Sequence, residues 1–242
     1  KIYNDNLINK PGEVALLLVV FRFLSPPFVY LLSEWKVNPL HINYTNLFII
    51  LIALTSFIFC SNPLISILLL ILWQFIDTLD GGVARTRNIV NNYGGFVDYM
   101  SGMVIVAFLP IVVAITVSNQ IINGLYKGNL LLSNISPEFI LMIGGLSSLT
   151  AIFSRFINHT IKIRFGADNS NKVMPGKKIN NFFRIIAINI EGVGGLNLII
   201  LLMFYLTDIM PAYLILYALI NILIAVYVFS RALVDYKDYS SY

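Results

Sequence analysis

Apolar runs of bilayer-crossing length alternate with short polar breaks through most of the chain. The hydrocarbon core of a membrane is about 30 Å thick and takes about 20 helical residues to cross. By that measure, runs at 41–60, 64–85, 94–117, 139–164, 185–206 and 212–229 predict six spanning helices. The stretch before them, 14–32, is also apolar but is broken by Arg22 and by Pro26-Pro27, which predicts a helix lying in the interface rather than a further span. Trp35 and Lys36 follow as headgroup-level anchors. The breaks carry ordinary turn chemistry. Ser61-Asn62-Pro63 reads as a tight turn, and Ser136-Pro137-Glu138 reads as a helix start with serine as cap and proline at the first position. The sizeable loop is 166–184, with Pro175-Gly176-Lys177-Lys178 at its middle. The expected class is therefore an all-α polytopic membrane protein, six transmembrane helices preceded by an N-terminal interfacial helix. It is expected to form a single domain over 1–242, with 1–40 as the juxtamembrane segment.

Composition agrees with the pattern and adds an orientation. With 242 residues, 58% of them hydrophobic and 12% charged, and a mean hydropathy of +0.81, the chain has no room for a separate soluble domain beside six spans. Under the six-span scheme the lysines and arginines fall on one side, with Lys127 on the other. Positive charge marks the cytoplasmic side, so both termini are expected there. The net charge of +4 is then a matter of topology and anionic headgroups, and nucleic acid is not an expected partner. Cys60 is the lone cysteine and can form neither an internal disulfide nor a multi-cysteine zinc site. His41 and His159 lack ligand spacing. Residues 1–11 lack the pattern of a cleaved signal, so the first span is expected to serve as the insertion signal.

Charge inside the spans changes the picture most. Asp77-Thr-Leu-Asp80-Gly81-Gly82-Val-Ala84-Arg85 closes the second span, and Gly94, Asp98 and Gly102 open the third. An ionised side chain at the centre of a spanning helix costs about 2.5–3.5 kcal/mol, so three aspartates must face a polar cavity, a cation or both. On a helix Asp77, Asp80, Gly81 and Ala84 share one face, as do Gly94, Asp98 and Gly102 on the next. Packed antiparallel through the short link after Arg85, the two helices can bring the three carboxylates together. Carboxylate oxygens suit a hard divalent cation, and such ions can clamp a phosphoryl transfer. Pairing of the aspartates with Arg85 or Arg155, or a proton relay in an ion-coupled transporter, is the alternative.

The spacing D-x2-D-G-x2-A-R-x8-G-x3-D resembles the signature of the CDP-alcohol phosphotransferase (phosphatidyltransferase) family. The resemblance extends upstream to Ser25-Pro26 and to Asn38-Pro39-Leu-His-Ile-Asn43-Tyr-Thr-Asn46. It implies transfer of a phosphoryl-alcohol unit from a CDP-linked alcohol to an acceptor, with release of CMP and with a lipid as donor or acceptor. It implies Mg2+ (or Mn2+) on Asp77, Asp80 and Asp98. It also implies a nucleotide site around Asn43, Gly81, Ala84, Arg85 and Gly94, and a homodimer. With the cations it places the site on the cytoplasmic side of the membrane, the cell membrane in a prokaryote. Outside the motif, Arg155 in the inner half of the fourth span reads either as a snorkelling or aspartate-paired charge or as an acceptor-side phosphate clamp, and Lys177 and Lys178 read either as a solvated connection or as holders of an anionic headgroup or phosphorylated substrate. One position departs from the pattern. The family's fourth aspartate, its general base, is replaced by Gly102, so a catalytically disabled or non-catalytic CDP- or lipid-binding homologue is the alternative to an enzyme.

Overall fold

The computed structural model describes residues 15–60, 62–89, 92–126, 134–165, 189 and 195–239. Every regular element in it is a helix: α1 (Leu16–Leu24), α2 (Pro26–Glu34), α3 (Pro39–Phe59), α4 (Pro63–Thr86), α5 (Asn92–Ile122), α6 (Pro137–Phe165), α7 (Asn197–Leu206) and α8 (Met210–Tyr239). Five of them, α3, α4, α5, α6 and α8, are long and apolar enough to cross a membrane, or six spans if α1 and α2 count as one bent pair. The chain is an integral membrane protein with several spans. The predicted first four spans and the sixth appear as expected. Of the predicted fifth span, 185–206, α7 is its C-terminal part, and most of its start lies outside the described residues.

Local sequence accounts for the helix ends. Asn38-Pro39 and Asn62-Pro63 use one device twice: proline occupies the first turn, where a missing N–H does no harm, and the asparagine side chain caps the helix. Asn38 Oδ1 accepts from Leu40 N at 3.0 Å and Asn62 Oδ1 from Leu64 N at 2.9 Å. Ser136 Oγ accepts from Phe139 N at 3.2 Å, the cap expected at α6. Pro26 starts α2 at a 52° bend to α1, so the expected single N-terminal helix is two, broken at the anticipated prolines. The edge-on contact of Phe21 with Phe75 pins α1 against α4 at a ring separation of 5.5 Å.

α3 and α4 form an antiparallel hairpin on which α5 packs, and α6 and α8 close the bundle. The core runs through Ile50, Phe57, Leu70, Trp73, Leu109, Val113, Leu201 and Leu214. Polar pins cross it: Ser56 Oγ to Ser66 Oγ at 2.8 Å, and Thr116 Oγ1 donating to the Phe57 carbonyl at 2.8 Å. A smaller cluster of Val29, Ile42, Leu79 and Val83 holds α2 against α3 and α4 beneath the aspartates.

Gly144 and Gly145, adjacent on α6, play different parts in helix contact. A methyl group on Gly144 would press on Ala114 Cβ and lie 2.8 Å from the Pro110 carbonyl oxygen, so this glycine lets α6 touch the α5 backbone. A methyl group on Gly145 would meet nothing within 4 Å. Gly144→Ala is expected to cost about 1–3 kcal/mol as overpacking and to lower the melting temperature in detergent, while Gly145→Ala leaves it unchanged. Equal melting temperatures for the two variants would refute this reading of the α5–α6 contact.

Candidate active site

The site grows from the α3–α4 hairpin. Two antiparallel helices joined at residues 61–62 set residue n of one against residue 123 − n of the other. That register opposes Asn46 to Asp77 and Asn43 to Asp80. Asn46 Nδ2 donates to Asp77 Oδ1 at 3.1 Å, and Asn43 hydrogen-bonds the Asp80 carboxylate. Both asparagines are buried. Spaced three residues apart on the apolar α3, they face two aspartates with the same spacing on α4. Asp80 also accepts the N–H of Gly81.

α5 completes the arrangement. Asn43 Nδ2 reaches the Gly94 carbonyl at 3.4 Å, tying the start of α5 to the same asparagine that serves Asp80. Asp98, exposed on the next turn, acts electrostatically on both Asp77 and Asp80 and stands within hydrogen-bonding reach of Asp77. Ser101 Oγ bonds back to the Asp98 carbonyl at 2.7 Å. The antiparallel packing therefore brings the three predicted carboxylates into one electrostatic group. Among the described residues, no three His, Cys, Asp or Glu side chains are close enough to hold a metal ion as they stand. The donor chemistry nevertheless fits a hard cation: these carboxylates repel one another unless positive charge lies between them, and Asn46 Oδ1 beside Asp77 is a buried oxygen with no hydrogen-bond partner.

The remaining predicted residues are placed unevenly. Arg85 folds its guanidinium over Gly81, where a methyl group would lie 3.1 Å from Nη1, and its charge acts on Asp80. Gly81 and Ala84 are half-buried on this face. Gly82, inside the same motif, serves the packing of α2 instead, since a methyl group there would lie 2.6 Å from Val29 Cγ2. Arg87, read from sequence only as a topological charge, donates from Nη1 to the Val37 carbonyl at 2.7 Å and fixes the α2–α3 link. Gly102 is half-buried on α5, one turn after Asp98.

Arg155 stands on α6 in the stripe Gly144, Ser148, Ala151, Arg155, whose first members meet α5. Gly144 abuts Pro110, and Ser148 Oγ donates to the Ala107 carbonyl at 2.5 Å. Farther along, His159 stacks on Tyr99 at 5.1 Å. This register sets Arg155 level with Ser101 and Gly102. Among the described residues, Arg155 is not one of the charges acting on Asp77 or Asp80. Lys177 and Lys178 lie outside the described residues.

Two participants escape sequence reasoning. Asn46 reads from the sequence as polarity at a helix end, although its spacing from Asn43 and the position of the turn are enough to oppose it to Asp77. Arg22 on α1 reads as a break in an apolar run, and it comes within electrostatic reach of Arg85. No curated protein matches the sequence. The family model for CDP-alcohol phosphatidyltransferase matches residues 14–210, most of the chain and all of the site just described. On that match, the chain belongs to the CDP-alcohol phosphatidyltransferase family.

Proposed function

We propose that the chain transfers a phosphoryl-alcohol unit from a CDP-linked alcohol to an acceptor, releasing CMP, with a lipid as one partner. The observation that carries this reading is the ladder of Asn46 on Asp77 and Asn43 on Asp80 with Asp98 across from it, at one end of a membrane bundle. Such an end suits a diphosphate whose alcohol is embedded in the bilayer. Membership of the family supports a membrane phosphotransferase of phospholipid synthesis that uses a divalent metal.

In this reading Asp77, Asp80 and Asp98 hold Mg2+ or Mn2+, which gathers the negative charge of the diphosphate. Gly81, Ala84 and Gly94 keep the facing surfaces low, so the nucleotide can approach the backbone. Asn43 holds Asp80 and the start of α5 in one register, which fixes the spacing between the carboxylates. Arg85 neutralises a phosphate oxygen. Arg155, level with Gly102, takes a phosphate on the acceptor side, joined by Lys177 and Lys178. The acceptor oxygen attacks the phosphorus that bears the alcohol, and the bond from that phosphorus to the CMP oxygen breaks. A hydroxyl acceptor must lose a proton in this step. Gly102 offers no group to take it.

The cation distribution supports a site on the cytoplasmic side. The open space beside Gly145 on α6 is in keeping with a homodimer. Gly102 favours one further reading, a homologue that binds CDP and lipid without turnover. The family match weighs against the ion-coupled transporter.

Purified protein, incubated with radiolabelled CDP-alcohols, Mg2+ and a lipid extract, is expected to release CMP and label a lipid. CDP-dependent metal binding without any CMP release would leave the non-catalytic reading. The absence of both binding and release would overturn the assignment.

A further inference from the structure

A cavity of about 330 Å3 lies at the other end of α4, lined by Asn62, Gln120, Tyr126, Tyr205, Asp208 and Met210 among others. Seventeen residues separate Pro63 from Asp80 on α4, roughly 26 Å along the axis at 1.5 Å per residue. This cavity belongs to a different place from the aspartate site, and the proposed reaction makes no use of it.

Its hydrogen bonds define what it can accept. The Tyr126 hydroxyl donates to Gln120 Oε1 at 2.7 Å, and the Tyr205 hydroxyl donates to Asn62 Oδ1 at 3.0 Å, on the oxygen that also caps α4. A phenol has one proton to give, and both are spent. Toward a ligand the phenol oxygens can therefore only accept. Asp208 adds a carboxylate in the link between α7 and α8. Burial, and then the charge of Asp208, push the Tyr126 phenol up to about 12, so it keeps its proton near neutral pH and the Gln120 bond with it. Asp208 sits at φ 55°, a left-handed conformation that aspartate and asparagine tolerate better than most residues.

We infer that this cavity is a second binding site, for an organic ammonium group carried by a free amine or by an amine-bearing lipid headgroup. Two aromatic rings, two free phenolic lone-pair positions and one carboxylate match a cationic donor and repel an anion. The volume equals about ten waters at roughly 30 Å3 each, enough for a group the size of ethanolamine or tetramethylammonium.

The test uses the full chain in detergent, titrated with ethanolamine hydrochloride or tetramethylammonium chloride against potassium chloride at equal ionic strength, with thermal stability as the readout. A saturable rise with the ammonium salts is expected. It should vanish in Asp208→Asn and need at least tenfold more ligand in Tyr205→Phe. Asparagine suits the same left-handed backbone, so Asp208→Asn should melt like the parent without ligand. In nanodiscs of phosphatidylethanolamine or phosphatidylglycerol, retention of the ethanolamine lipid by native mass spectrometry, lost in Asp208→Asn, identifies the lipid headgroup as the source. A response to the free amines alone identifies a soluble ligand. An equal response to potassium chloride, no saturable response to any probe, or a response undiminished in Asp208→Asn overturns the inference.

Discussion

Gly102→Asp is expected to raise transfer to a hydroxyl acceptor by about 100-fold or more, the usual contribution of a positioned general base. The new carboxylate would stand one turn after Asp98 on α5, at the level where the α5–α6 register sets Arg155. A carboxylate there can accept the proton that an alcohol loses as it attacks. The comparison needs two acceptors, a lipid alcohol and the matching lipid phosphate. A phosphate oxygen is already anionic near pH 7 and needs no base, and it would give a diphosphate-linked product. Turnover of the lipid phosphate by the parent chain would establish a competent enzyme with an anionic acceptor. Failure with both acceptors, together with a strong gain on the alcohol in Gly102→Asp, would establish a disabled transferase. If Gly102→Asp gains nothing on either acceptor, position 102 is not where the base belongs.

Asp77→Asn and Asp98→Asn are each expected to lower CDP-dependent Mn2+ affinity by at least 100-fold and to abolish CMP release. Asparagine keeps the shape of the side chain but removes its charge, and a hard cation loses an anionic oxygen each time. Asn46→Leu should cost less, about 10-fold to 100-fold, because Asn46 orients Asp77 through its 3.1 Å hydrogen bond. Titration of protein with Mn2+ in the presence and absence of CDP separates these effects. Unchanged binding in both aspartate variants would remove Asp77 and Asp98 from the site. An Asn46→Leu loss as large as that of Asp77→Asn would mean that the amide oxygen, buried without a partner, is itself a ligand.

The spans are legible in the sequence because hydropathy and length fix them together: a bilayer demands about 20 apolar residues and satisfies no backbone group outside a helix. The bend between α1 and α2 is legible for a local reason, since Pro26 cannot donate to the turn before it. The caps at Asn38, Asn62 and Ser136 are equally local. Packing is harder to read. Gly81 and Gly82 are neighbours of one type, yet one lies under the Arg85 guanidinium and the other admits Val29. Gly144 and Gly145 differ in the same way.

What the sequence determined by itself is the run of apolar spans other than the fifth, whose start lies outside the described residues, and the placing of the aspartate motif on two of them, because each depends on residues close along one helix or on the solvent that helix meets. Opposition of Asn46 to Asp77 stands at the border, since the turn at 61–62 sets it once the two helices are known to pack. Only the tertiary structure decided that Asp98 reaches Asp77 from another helix, that Arg87 holds the Val37 carbonyl, and that Tyr126, Tyr205 and Asp208 meet around one cavity. These groups lie far apart along the chain. Helix periodicity assigns a residue to a face, but side-chain packing between helices selects which faces meet and at what depth.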